Sequence, residues 1–166
     1  HIALNIASVV FMVPLGVSAA AAVLVGQHIG AGDVRAARRA GWAAILVTLI
    51  IQTGSAVAFF VAPAALIRLY TSEAAVVVIG AKLLGVAAAF QLFDGLQVTT
   101  TGALRGLGET TVPMYISLIG YWATGLPLGW WLCFRAGYGV SGLWMGLAGS
   151  LFFVGTALLF LWQARI

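Results

Sequence analysis

Apolar residues run along this chain in long unbroken blocks, interrupted by polar residues, glycine and proline at only four places. The interruptions fall at Gly30-Ala-Gly-Asp33-Val-Arg35, around Pro63 to Glu73, at Arg105 to Pro113 and at Arg135 to Gly139. They leave apolar blocks at about 2–29, 40–62, 74–103, 113–134 and 139–163, each long enough for a membrane-spanning helix of roughly 20 residues. Within lipid a bare loop or open sheet edge cannot satisfy its backbone, so all five blocks are predicted to be helical. The expected fold class is an all-α integral membrane protein, with residues 1–166 forming a single transmembrane region of five helices.

Composition strengthens this picture. Of 166 residues 63% are hydrophobic and 7% charged, with mean hydropathy +1.10, whereas a soluble domain carries about 25% charged residues. The formal charge of +4 does not point to nucleic acid, because the basic residues are scattered among apolar blocks and form no stripe. They fit topology better, since Lys and Arg concentrate in cytoplasmic loops. Arg35, Arg38 and Arg39 lie in the first connection, Arg105 in the third and Arg165 at the C-terminal end, against Arg68 in the second and Arg135 in the fourth. The odd-numbered connections and the C-terminal end are therefore expected in the cytoplasm, with Lys82 snorkelling toward the outer interface. The chain starts at His1 without a basic-then-apolar leader and reads as a piece of something longer. The single Cys133 is taken as a packing residue.

Two glycine runs match. One apolar block ends Gly26-Gln-His-Ile-Gly30-Ala-Gly32-Asp33 and another ends Gly102-Ala-Leu-Arg-Gly106-Leu-Gly108-Glu109, which suggests that the hairpins 1–2 and 3–4 are related repeats. Gly26/Gly30, Gly102/Gly106, Gly125/Gly129 and Gly142/Gly146 are small-xxx-small pairs suited to close helix packing. A phosphate-binding loop does not fit, since no Lys follows either run at the required place.

The chemistry concentrates on Asp94. On a straight helix its nearest charges, Lys82 and Arg105, are roughly 16 to 18 Å away, which sets the carboxylate near the bilayer midplane. A charge there costs at least about 2.5–3.5 kcal/mol and is functional by default, serving an ion, a proton or a cationic substrate. Residues three, four and seven positions away share its face: Phe90, Gln91, Gln97, Val98 and Thr101. Phe90 and Gln91 are grouped with Asp94 as the cation-coupling set, with Na+ a candidate metal at Asp94. Gln97 and Thr101 are candidate cavity residues, joined by Asn5 of the first block and by Tyr121 and Trp122 of the fourth, whose rings suit a flat cation. Thr48, Gln52, Ser55 and Ser8 read as interhelical hydrogen-bonding residues. His28 reads as an interfacial one, with nothing at metal-ligand spacing beside it. Trp130 and Trp131 fit an interfacial aromatic belt, and Pro127 is expected to bend its helix.

Taken together, the stretches His1-Ile-Ala-Leu-Asn5, Phe11-Met-Val-Pro-Leu-Gly16, Val25 to Asp33, Gln91-Leu-Phe-Asp94-Gly-Leu-Gln97, Gly102-Ala-Leu-Arg-Gly106, Gly120 to Gly129 and Gly139 to Gly146 resemble the C-terminal half of a multidrug and toxic compound extrusion (MATE) transporter. The resemblance implies a twelve-helix protein of two six-helix lobes, of which these segments would be helices 8 to 12. It also implies antiport of organic cations against Na+ or H+ with no other cofactor, in the cell membrane, the bacterial inner membrane in particular. Asp94 then matches the acidic residue of helix 10 used for cation coupling. Phe90 falls where some members have Tyr, so one oxygen ligand is absent, and at Ser117 many relatives carry Asn. The implied partners are small organic cations, membrane lipids, and the missing N-terminal lobe and helix 7 with its acid. A related architecture, the flippase for lipid-linked saccharides, is the alternative and would be expected to carry more basic residues in its cavity. An intramembrane enzyme does not fit, since Asp94 has no second positioned acid and no Ser/His pair stands in register. A purely structural subunit would tolerate Asp94→Asn.

Overall fold

The computed structural model describes residues 2–166, with the side chains of all but Leu4, Val140 and Ser141; His1, the first residue of the family-like motif, lies outside the described residues. Helix α1 spans Ile2–Gly30, α2 Val34–Val61, the short α3 Pro63–Arg68 and α4 Ala74–Gly106. Then α5 (Thr111–Ile119), a π-helical stretch Gly120–Gly125 and α6 (Leu126–Phe134) run on without a break, and α7 spans Val140–Arg165. Helices α1, α2, α4 and α7 each hold a segment long and apolar enough to cross a membrane. Large apolar side chains such as Val9, Met12, Ile50, Phe60 and Phe160 are more than half exposed on the outside of the bundle, as a lipid-facing surface requires. The chain is thus an all-helical, multi-pass membrane region.

The helices outrun the apolar blocks that predicted them. α2 starts six residues before residue 40 because Asp33 caps it, its carboxylate accepting the Ala36 amide at 2.8 Å. A helix so capped can carry Arg35, Arg38 and Arg39 out past the apolar block on exposed positions. The region around Pro63 is not a plain loop either. Pro63 stands at the first turn of α3, where its missing N–H costs nothing.

The matched glycine runs end in the same backbone geometry. After α1, the Gly32 amide bonds the Ile29 carbonyl and the Asp33 amide the His28 carbonyl; after α4, Gly108 bonds Arg105 and Glu109 bonds Leu104. Both are Schellman endings, and both need a left-handed residue, supplied by Gly32 at φ +76° and Gly108 at φ +78°.

Packing follows the small residues. α1 and α4 run parallel and touch through backbone: a Cβ at Gly106 would meet the Ala22 carbonyl at 2.7 Å, and one at Gly102 would collide with Ser18. α2 lies antiparallel to α4, α7 lies parallel to α4 on its other side, and α5 to α6 returns antiparallel to α7. A Cβ on Gly146 would strike the backbone of Gly129, and one on Gly142 the backbone at Leu132 and Cys133, so close packing accounts for the Gly102/Gly106, Gly125/Gly129 and Gly142/Gly146 pairs, whereas in the Gly26/Gly30 pair only Gly26 approaches a neighbour and Gly30 meets nothing within 4 Å. Two apolar cores result, one around Val25, Leu104, Leu158 and Trp162, the other around Ile6, Phe59, Ile67 and Leu84. Between them lies a polar layer that includes Asp94.

Pro127 was expected to mark the bend of the fourth segment. The irregularity instead lies just before it, where Gly120–Gly125 is π-helical and Pro127 falls in the first turn of α6. A widened turn leaves amides free to shift partner, so the proline is accommodated with the helix continuous.

Candidate functional site

Asp94 stands in the wall of a cavity of about 400 Å3 enclosed by α1, α4 and α7. α1 contributes Ser8 and Phe11, α4 contributes Phe90 and Asp94, and α7 contributes Trp144 and Leu147. The Phe90 and Trp144 rings stack across the α4–α7 junction, centroids 5.8 Å apart and planes 15° from parallel. Alanines face the space from α1 and α4, which is why it stays open. Among the described residues no hydrogen bond or salt bridge reaches the Asp94 carboxylate; the one salt bridge among them joins Arg165 to Glu109 at 3.3 Å. No three His, Cys, Asp or Glu side chains converge among the described residues, so a small cation at Asp94 would take its other ligands from neutral oxygens.

Of the residues expected to share the face of Asp94, Phe90 lines the same cavity, and the polar members are engaged elsewhere. Gln91 is buried and turned toward α2, its Nε2 donating to the Gln52 carbonyl at 3.3 Å and to the Ser55 hydroxyl. Gln52 Nε2 donates back to the Gln91 carbonyl at 3.1 Å. One turn along, the hydroxyls of Thr48 and Thr99 share a hydrogen bond of 2.8 Å. Gln97 Oε1 accepts from the Tyr121 hydroxyl at 2.5 Å, tying α4 to the π-helical turn. The Thr101 hydroxyl donates to the Gln97 carbonyl at 2.8 Å and lines a separate recess of about 220 Å3 with Arg105 and Glu109.

Tyr121 and Trp122 face a third space, a groove of about 560 Å3 between α6 and α7, and Trp122 is 67% exposed. Trp144 and Leu147 line both this groove and the Asp94 cavity. Asn5 is exposed and is not part of the Asp94 cavity wall, whereas Ser8, one turn on, is. Sequence reasoning missed Phe11, Trp144 and Leu147 as cavity residues and read Ser8 as an interhelical hydrogen-bonding one. A signal for Trp144 was present: Gly142 and Gly146 mark the α7 face packed on α6, and a residue two positions from Gly142 points about 200° away from it.

A family model named MatE matches residues 1–131. The chain belongs to this family. Among curated MatE relatives, the multidrug resistance protein NorM of Burkholderia vietnamiensis is 48% identical over 171 residues, a match covering 100% of this chain and 37% of that protein. The probable multidrug resistance protein NorM of Burkholderia pseudomallei is 46% identical, covering 98% and 36%. The fold is similar to that of a eukaryotic MATE transporter, AtDTX14, with TM-score 0.85 at 25% identity over 98% of this chain and 38% of the other. The chain spans a little over a third of the length of the curated MatE relatives it matches.

Proposed function

We propose that this chain supplies part of the C-terminal lobe of a secondary antiporter that exports organic cations in exchange for Na+ or H+, with Asp94 as the coupling carboxylate. The observation that carries it is a carboxylate without a charged or hydrogen-bonding partner among the described residues, set beside a stacked aromatic pair in a largely apolar cavity of about 400 Å3. That volume suits a drug-sized ligand, and an aromatic face beside an acid attracts a flat cation. The names of the NorM relatives, multidrug resistance proteins, agree with such a cargo.

Exchange requires the two ligands to favour different conformations. The organic cation enters the cavity and neutralises Asp94 in one state; the small cation takes the carboxylate in the other and favours release. The remaining lobe and an acid on the preceding helix complete the pathway. Ethidium efflux from pump-deficient cells expressing the full-length protein tests this. Efflux that follows one ion gradient and is lost in Asp94→Asn is the expected result; wild-type efflux in Asp94→Asn would remove the carboxylate from the mechanism.

A further inference from the structure

We propose that the first turns of α2 form a docking site for an anionic phospholipid of the cytoplasmic leaflet, its phosphate held between Arg35 and Arg39. The proposal is independent of the exchange reading above. In helical register Arg39 stands within about 20° of Leu46, Ile50 and Val57, and Arg35 about 40° to one side. Those three apolar side chains are more than half exposed, which makes this the lipid-facing stripe of the helix. Both arginines are exposed at its end. Arg38, about 100° from Arg39, falls outside the stripe.

Depth along the helix agrees with this. From Ala40 to Val61 α2 rises about 32 Å, against about 30 Å for the hydrocarbon core of a bilayer. Arg39 thus emerges at the edge of the core, and Arg35 stands one turn, about 6 Å, further out among the headgroups. Trp42 is half-buried and lies seven residues from Arg35 on the same side, where an interfacial indole fixes the depth of a helix.

Charge decides the partner. The chain has four acidic residues, and among the described residues none pairs with either arginine. The Asp33 carboxylate accepts the Ala36 amide, Glu109 binds Arg165, Asp94 lies in the cavity wall, and Glu73 stands at the start of α4, toward the opposite side. Of the other basic groups on the side assigned to the cytoplasm, Arg165 is engaged by Glu109 and Arg105 shares a recess with it, so positive charge is unopposed at α2. Two guanidinium groups keep their charge at any working pH, and each presents a fork of N–H donors that matches a phosphodiester. One turn of spacing lets both reach a single phosphate. The acyl chains then lie along Leu46, Ile50 and Val57, a stripe that a free phosphate ion leaves uncovered.

The test follows thermal unfolding of the full-length protein in an uncharged maltoside detergent as phosphatidylglycerol is added. Saturable stabilisation of the wild type is expected. Arg35→Gln/Arg39→Gln is expected to raise the half-saturating lipid concentration about thirtyfold, while Arg68→Gln/Arg135→Gln, which removes the same charge from the opposite side, stays at the wild-type value. Should the first double variant fail to fold, each of its single replacements is expected to raise that concentration about fivefold. Inorganic phosphate is the arm for a free anion and is expected to give no such stabilisation. Equal lipid responses in the two double variants, stabilisation by inorganic phosphate as strong as by the lipid, or no stabilisation of the wild type by phosphatidylglycerol would each overturn the proposal.

Discussion

Trp144 joins two spaces, since it stacks on Phe90 and lines both the Asp94 cavity and the groove between α6 and α7. Its replacement by Ala removes an aromatic face, worth about 0.5–2 kcal/mol to a cation depending on desolvation. The expected outcome is a rise of about two- to thirtyfold in the KM for ethidium, with Trp144→Phe close to wild type, read from initial efflux rates. At this scale the sequence revealed which residues share a helix face with Asp94, because helical spacing dictates that. It did not reveal which way their side chains turn. Gln91 and Gln97 look like neutral ligands from their spacing, but each has a closer partner on another helix, Gln52 and Ser55 for the one and Tyr121 for the other. Long-range contacts of that kind are set by the packing of helices, which no single-segment periodicity encodes. Trp144 was overlooked for the same reason, since it enters the Asp94 cavity from α7.

Helices in this bundle are placed by glycine, and the glycines are not equivalent. A Cβ at Gly146 would press on the backbone of Gly129, while one at Gly16 meets nothing within 4 Å. Gly146→Ala should therefore lower stability by about 1–3 kcal/mol through overpacking, and Gly16→Ala should raise it by up to about 1 kcal/mol through helix propensity. Thermal unfolding in detergent, followed by a thiol-reactive dye at Cys133, checks both directions. The small-xxx-small spacing was legible in the sequence and so were the two matched helix ends, because Gly followed by an acidic residue is a local signal. The π-helical stretch Gly120–Gly125 was not legible. Pro127 drew attention to itself as a breaker, whereas the widened turn arises where Gly120 and Gly125 let α7 approach, with Val154 and Ser150 occupying the space a Cβ would need.

For the molecule as a whole, orientation and the tie at one end of the bundle are the properties open to measurement. With Cys133 replaced by Ser, single cysteines at residues 31 and 38 should react with an impermeant maleimide only from the cytoplasmic side, and those at residues 72 and 137 only from outside. Glu109→Gln removes the ion pair to Arg165 beside the second Schellman ending; with side chains 22% and 51% exposed, it should cost no more than about 1 kcal/mol and leave efflux intact. The contact of α1 with α4 has a larger consequence. The two helices are pinned backbone to backbone at Ser18–Gly102 and Ala22–Gly106, while toward their N-terminal ends they meet through side chains that line the cavity and build the second core, with Pro14 inside α1 between the two regions. They are built like a pair of tongs. From Ser18 to Ala3 the arm is about 23 Å long, so each degree of rotation at the pivot moves its tip by about 0.4 Å. A side chain of one extra methyl at the pivot is thereby magnified at the jaws.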